Sequence, residues 1–270
     1  MQKLLTMTFK TLLIRLTLCA SALVAGMHSA QAGLPIEHWT QANGVQVYLA
    51  RSAAIPMLDV QIDFDAGSRR DPPAQAGLAA VTAGMFGKGV RADAASGQAA
   101  LDENALGEAW ADLGASVGAH VDQDRMSFSL RTLTYPDLLA QAVALAARQL
   151  AQPAFPADIW QRERESLLAA LKEADTRPGT WAERQFRQAV YGQHPYALEM
   201  TAATLARIEV ADMAALYQRL IVPCRAKVSL VGAVDRAQAD ALVRQLFAGF
   251  GSAASGSACS SFPAVPEVQP

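Results

Sequence analysis

Apolar and polar residues alternate along several short segments of the chain. In the first of them, Val45, Val47 and Leu49 fall on one side, which is the period of two typical of a strand with one buried face. Such strands are predicted at residues 44–50, 57–66, 115–121, 126–133 and 225–234. The short polar connection at residues 122–124 predicts a hairpin between the third and the fourth strand.

Apolar residues at helical spacing fill much of the remaining chain. Leu139, Val143 and Leu150 lie on one helical face, and Pro156 favours the first turn of a helix that Pro178 prevents from continuing. Helices are predicted at about residues 77–86, 102–113, 139–150, 156–175, 178–191, 210–220 and 235–250. Strands and helices come in runs, which favours an α+β fold, an antiparallel-rich sheet covered by helices, over a doubly wound parallel sheet.

The first 32 residues have the features of a secretory signal peptide. Three basic residues precede an apolar run at residues 16–26, and Ala30-Gln31-Ala32 fits the small-x-small pattern of a cleavage site. We expect cleavage after Ala32 and a periplasmic mature protein. No stretch of the chain reaches the roughly 20 apolar residues that a membrane-spanning helix needs.

The charge balance of the chain disfavours some classes of partner, and its cysteine content bears on disulfide formation. Of the 23 Lys and Arg residues three lie in the predicted signal peptide, which leaves 20 basic residues against 25 acidic ones. There is no basic stripe, so nucleic acids and anionic membrane surfaces are disfavoured as partners. Cys224 and Cys259 remain after processing, and the sequence leaves open whether they pair.

Composition changes abruptly after Phe250. The next residues, GSAASGSACSS, have the composition of a flexible linker, and FPAVPEVQP is rich in proline. The predicted organisation is a signal peptide at 1–32, one domain at 33–250 and a linker or tail at 251–270. A linker in this position suggests that a further domain belongs after it.

Five strings, in order, resemble the N-terminal domain of the pitrilysin/insulinase family of zinc peptidases. They are AGSRRDPPAQAGLAAVTAGMFGKG, LGASVGAHVDQD, QPAFPADIWQRERESLLAALKEADTRP, YGQHPYA and VSLVGAVD. The resemblance extends over nearly the whole chain from Trp39 to Phe250. It implies a single domain of the processing-peptidase-like metallohydrolase type, in agreement with the α+β prediction.

The zinc motif of that family is degenerate in this chain. Active relatives carry H-x-x-E-H, in which two histidines one helical turn apart hold the metal and the glutamate acts as general base. The matching residues here are Ala80, Ala83 and Gly84, and the resemblance places the last ligand, a glutamate in the family, at Ala170. None of these four side chains has a donor atom. We therefore predict no catalytic residue, no metal ligand and no cofactor.

Other candidates for a site are weaker. Glu163 matches a supporting carboxylate of the family, but a single acidic residue on a long amphipathic helix, like nearby Glu173, usually faces solvent. His38, His120 and His194 are the histidines of the mature chain, and no two have ligand spacing. The chain has neither a G-x-S-x-G elbow nor a Cys/His signature for nucleophilic catalysis.

The resemblance leaves three functions open. The first is a non-catalytic subunit of a periplasmic zinc metallopeptidase, which binds extended peptides along a sheet edge while a zinc-bearing partner cuts them. The second is a stand-alone peptide- or protein-binding module, or a truncated remnant of a two-domain subunit. The third is activity through a partner's zinc site. In active members a second domain supplies an Arg/Tyr pair, which this chain does not contain.

Overall fold

A six-stranded sheet organises the part of the chain that the structure, a computed structural model, describes: residues 34–93, 97–250, 259 and 264. The chain divides at Pro35 into two units, and the fold set out below is that of the second unit, Ile36–Pro270. The predicted signal peptide and most of the predicted tail lie outside the described residues. No helix among the described residues is long and apolar enough to cross a bilayer.

The strands of the described residues are β1 Ile36–Thr40, β2 Gln46–Arg51, β3 Met57–Phe64, β4 Gly89–Val90, β5 Leu101–Asp102, β6 Ser116–Val121, β7 Met126–Leu133 and β8 Lys227–Gly232. The main sheet has the strand order β1-β2-β8-β3-β7-β6. Neighbouring strands are antiparallel except β2 and β8, which run parallel. Strands β4 and β5 form a separate antiparallel pair. This confirms the predicted antiparallel-rich α+β fold.

Helices cover one face of this sheet. They are α1 Leu78–Gly84, α2 Glu103–Asp112, α3 Pro136–Ala151, α4 Ala157–Ala174, α5 Pro178–Tyr191, α6 Ala202–Leu205, α7 Val210–Leu220 and α8 Arg236–Leu246. The seven predicted helices are all present, and the short α6 is an addition. The closing helix ends at Leu246, four residues before the predicted end, and a 3-10 turn occupies Ala248–Phe250.

The core lies between the helices and one face of the sheet. Alternate residues of the central strands, such as Val60, Ile62 and Phe64 of β3, are almost completely buried. Phe64 meets Phe128 of β7 edge to face, with ring centroids 5.9 Å apart. The intervening residues of β3, such as Gln61, point to the uncovered face, so the alternation in the sequence matches the two faces of the sheet.

A disulfide joins Cys224 to Cys259, with Cα atoms 5.9 Å apart. The pairing that the sequence left open is therefore present. Cys224 lies just before β8 and against Gly44, where an added Cβ would come within 3.0 Å of the cysteine backbone. The bond links Cys259, which follows the last helix, to Cys224, which lies just before the central strand β8.

Candidate functional site

Helix α1 carries the positions that match the zinc motif, and a buried carboxylate fixes its first turn. One oxygen of Asp71 accepts a hydrogen bond from the Gly77 N–H at 2.8 Å, and the other accepts one from the Ala79 N–H at 2.9 Å. Gly77 has φ +100°, a conformation that favours glycine. Burial raises the pKa of the Asp71 carboxyl to about 6, against the opposing effect of these backbone hydrogen bonds.

The three motif positions lie on α1 as predicted. Ala80 and Gly84 are exposed and one turn apart on the same side of the helix, whereas Ala83 is buried. A Cβ added at Gly84 would meet no atom within 4 Å. The helix therefore presents a small, donor-free surface where active relatives place two imidazoles.

Between α1 and α4 lies a concave region of about 140 Å³, which we call the α1–α4 hollow. Its lining combines small and apolar side chains with one carboxylate. The lining residues are Ala80, Val81, Gly84, Met85, Trp160, Glu163, Leu167 and Met200. Ala170 lies further along α4, is exposed, and is not part of this lining.

Glu163 belongs to an ion-pair network at the rim of the hollow. Lys88 Nζ lies 3.0 Å from Glu163 Oε1 and 2.7 Å from Glu103 Oε1, and Arg162 Nη2 lies 2.9 Å from Glu103 Oε2. The hydrogen bond from Lys88 is the main cause that holds the pKa of Glu163 below its usual value. The network thus pairs two carboxylates with two cations. Glu173, by contrast, is exposed and forms an ion pair with Arg177, the residue just before α5.

The three histidines that the structure describes lie apart. His38 is in edge strand β1 and stacks on Tyr48, with ring centroids 4.4 Å apart. His120 is exposed on β6, the opposite edge strand. His194 Nδ1 accepts a hydrogen bond from the Tyr196 N–H at 3.1 Å. Among the described residues, no group of three His, Cys, Asp or Glu side chains is arranged to hold a metal ion.

Strand β6 ends the sheet, so its outer edge pairs with no other strand of the described sheet, and it contacts α1, which forms one wall of the hollow. The Asp122 N–H donates to the Arg125 carbonyl at 3.0 Å, which starts the ladder with β7. Hydrogen-bonded and non-hydrogen-bonded pairs alternate from there, so Val117, Ala119 and Val121 direct their N–H and C=O groups outward. No hydrogen bond from another described segment reaches these groups.

The position of this edge was not evident from the sequence. The alternation in residues 115–121 predicts the strand, but strand order depends on pairings between residues that are far apart in the chain. A local signal exists in Gly118 and Ala119, because small residues leave an edge strand accessible to another backbone.

The chain matches a known family and several solved structures. Residues 46–204 match the family model described as Insulinase (Peptidase family M16). No curated protein matches the sequence. A structure of a peptidase M16 inactive domain from Pseudomonas fluorescens is 29% identical, with a TM-score of 0.74 over 80% of this chain and 51% of that chain.

Two more distant structures share the fold. A protease from Helicobacter pylori is 18% identical, with a TM-score of 0.70 over 88% of this chain and 54% of that one. The periplasmic protease PqqL from Escherichia coli is 17% identical, with a TM-score of 0.68 over 87% of this chain and 26% of that one. The chain thus spans about half the length of the first two structures and a quarter of the third.

Proposed function

The chain belongs to the insulinase family of peptidases (family M16), and from this premise we propose that it is a non-catalytic, peptide-binding member that works with a zinc-bearing partner. The observation that carries the proposal is the chemistry of α1. Ala80, Ala83 and Gly84 occupy the three motif positions, and neither a methyl group nor a hydrogen atom can donate to zinc. The residues present therefore do not fit a catalytic metal.

The same substitutions remove the general base. In an active relative the motif glutamate takes the proton of a metal-bound water, and Ala83 has no group that accepts a proton. Glu163 does not replace it, because its carboxylate already pairs with Lys88. The Pseudomonas relative is described as an inactive domain, which agrees with this interpretation.

Peptide binding is supported by the edge of β6. An extended peptide added there would bond to the outward N–H and C=O groups of Val117, Ala119 and Val121. Main-chain bonding is tolerant of sequence, which suits a protein that holds varied peptides for a partner. The edge carries no Lys, Glu or Pro that would oppose strand addition.

A zinc-bearing partner is the second part of the proposal. The chain spans about half the length of the Pseudomonas and Helicobacter structures, so the other half of such an assembly is expected from a further domain or a separate polypeptide. The predicted signal peptide at 1–32 supports a periplasmic location as part of the proposal. The Cys224–Cys259 disulfide supports it, because such bonds persist in oxidising compartments.

The test of the catalytic claim is metal content and peptide cleavage of the purified mature chain. We expect no stoichiometric zinc and no cleavage from the chain alone, but a stable complex or faster cleavage when an M16 zinc peptidase encoded beside it is added. Stoichiometric zinc with activity from the chain alone would overturn the proposal. Peptide binding without any effect on a partner would favour the stand-alone binding module.

The edge of β6 is tested separately with Ala119→Pro. Proline removes an outward N–H that no ladder bond uses, so the fold is retained while strand addition is blocked. The matched control Ala119→Val keeps the N–H. We expect peptide binding, followed by amide shifts of isotope-labelled protein, to be lost in the first variant and kept in the second. If both variants bind the peptide equally well, the peptide binds at a site other than the edge of β6.

A further inference from the structure

The α1–α4 hollow has properties beyond the loss of a metal site. We infer that it is a pocket for one uncharged apolar side chain of about the size of leucine, carried by the peptide that binds along β6. The inference rests on the proposed peptide binding and adds to it a preference among peptides. In this view the small residues at the motif positions create a space that a side chain fills.

The volume of the hollow matches a single side chain. An apolar cavity of about 150 Å³ can hold one benzene molecule, so the hollow, at about 140 Å³, has room for a single apolar group. The four carbon atoms of a leucine or the four heavy atoms of a methionine side chain occupy a similar space. Sites for whole small molecules are larger, at roughly 300–1,000 Å³.

The lining of the hollow favours an apolar occupant. Trp160 and Leu167 form the wall on α4, and Met200 closes one side. The indole N–H of Trp160 donates to the Ile208 carbonyl at 3.2 Å, so the ring contributes only carbon to the wall.

Charge at the rim excludes a charged occupant. Glu163 and Glu103 are already paired with Lys88 and Arg162. A lysine or a carboxylate of the peptide would lose its hydration on entering the hollow. No charge in the rim network is free to pair with it, so its binding is unfavourable. Binding of a neutral side chain leaves the network intact.

The position of the hollow suits a strand added to β6. In β6 the side chains of Val117, Ala119 and Val121 pack towards the core, on the helix-covered face. Alternate side chains of an added strand project from that same face. Because α1 contacts β6 and forms one wall of the hollow, we expect such side chains to reach this wall.

The experiment uses Ser/Thr dodecapeptides with one central guest residue, titrated into the isotope-labelled mature chain. The guests are Leu, Ala, Lys and Phe. We expect the Leu peptide to bind up to roughly fiftyfold more tightly than the Ala peptide, because three further carbons are buried, and the Lys peptide to gain nothing over Ala. The Leu preference should be lost in Ala80→Leu, which fills the hollow, and kept in Ala169→Leu, an exposed site of α4 outside it.

A second variant enlarges the hollow. Leu167→Ala removes part of one wall, so it should shift the preference from a Leu guest towards a Phe guest. This gain of binding is independent of whether Ala80→Leu folds. If the peptides bind Leu167→Ala in the same order of affinity as they bind the wild-type chain, the inference is contradicted.

The outcomes separate this inference from the proposed function. If all guests bind equally and Ala119→Pro abolishes their binding, the edge binds peptide but the pocket inference fails. If a Leu preference persists in both Ala80→Leu and Leu167→Ala, the pocket lies elsewhere and the inference also fails. If no peptide binds the wild-type chain, the proposed peptide binding itself is wrong.

Discussion

The two sides of helix α1 differ in how much of a peptidase site they retain. The supporting side keeps the Asp71 cap, the packing of Val81 and Met85 in the core, and the Lys88 network with Glu163. The outward side, at Ala80 and Gly84, carries no side chain that could bind a metal ion. The difference shows that the placement of a site and its chemistry depend on separate residues, so one can be lost while the other persists.

The supporting side should be the more sensitive to mutation. Asp71→Ala leaves the buried N–H groups of Gly77 and Ala79 without an acceptor, so we expect the free energy of unfolding to fall by about 2–3 kcal/mol at neutral pH. Urea denaturation followed by circular dichroism measures it. The control Asp59→Ala breaks an exposed pair with Arg131 and should cost less than about 1 kcal/mol. Equal effects would contradict a special role for the cap.

The Asp71 contribution should depend on pH in a defined direction. Its folded-state pKa of about 6 lies above the ordinary value of 3.8. The folded state therefore binds this proton more tightly than the unfolded state, so the contribution to stability is complete below about pH 4 and decreases as pH rises through 6. The stability difference between wild type and Asp71→Ala should be larger at pH 4 than at pH 7, by on the order of 1–3 kcal/mol.

Loss of the cation at the rim should have an intermediate effect. Lys88→Met keeps the aliphatic stem but leaves Glu103 and Glu163 with Arg162 alone, so we expect a loss of about 1 kcal/mol. Salt should reduce this difference, because the carboxylates are partly exposed. A loss that is independent of ionic strength would show that packing of the stem, and not charge, explains the effect.

The outward side should tolerate change with the smallest effect on stability. In Ala80→His/Gly84→His both new side chains are exposed, and the gain in helix propensity at Gly84 offsets the loss at Ala80. We expect unfolding to change by less than about 0.5 kcal/mol. The two imidazoles, one turn apart, should bind zinc where the wild-type chain does not, as measured by isothermal titration calorimetry. The single variant Ala80→His serves as control and should bind far more weakly.

Sequence patterns predict most of the fold but not the arrangement around the site. The alternation in β3 and β7 is unambiguous because one face of each strand is fully buried. Strand β1 is not predicted, because none of its five residues is fully buried and Trp39 is held by a hydrogen bond to the distant Asp240. The absent zinc ligands are evident locally, whereas the hollow depends on how α4 packs against α1, which no local pattern encodes.

The apolar lining of the α1–α4 hollow has a consequence for temperature. Removal of apolar surface from water carries a negative heat-capacity change, so the advantage of a leucine guest over an alanine guest should weaken on cooling. The main-chain bonds to β6 are the same for both guests and cancel in that comparison. The chain would therefore discriminate among peptides more sharply when warm and hold them more indiscriminately when cold.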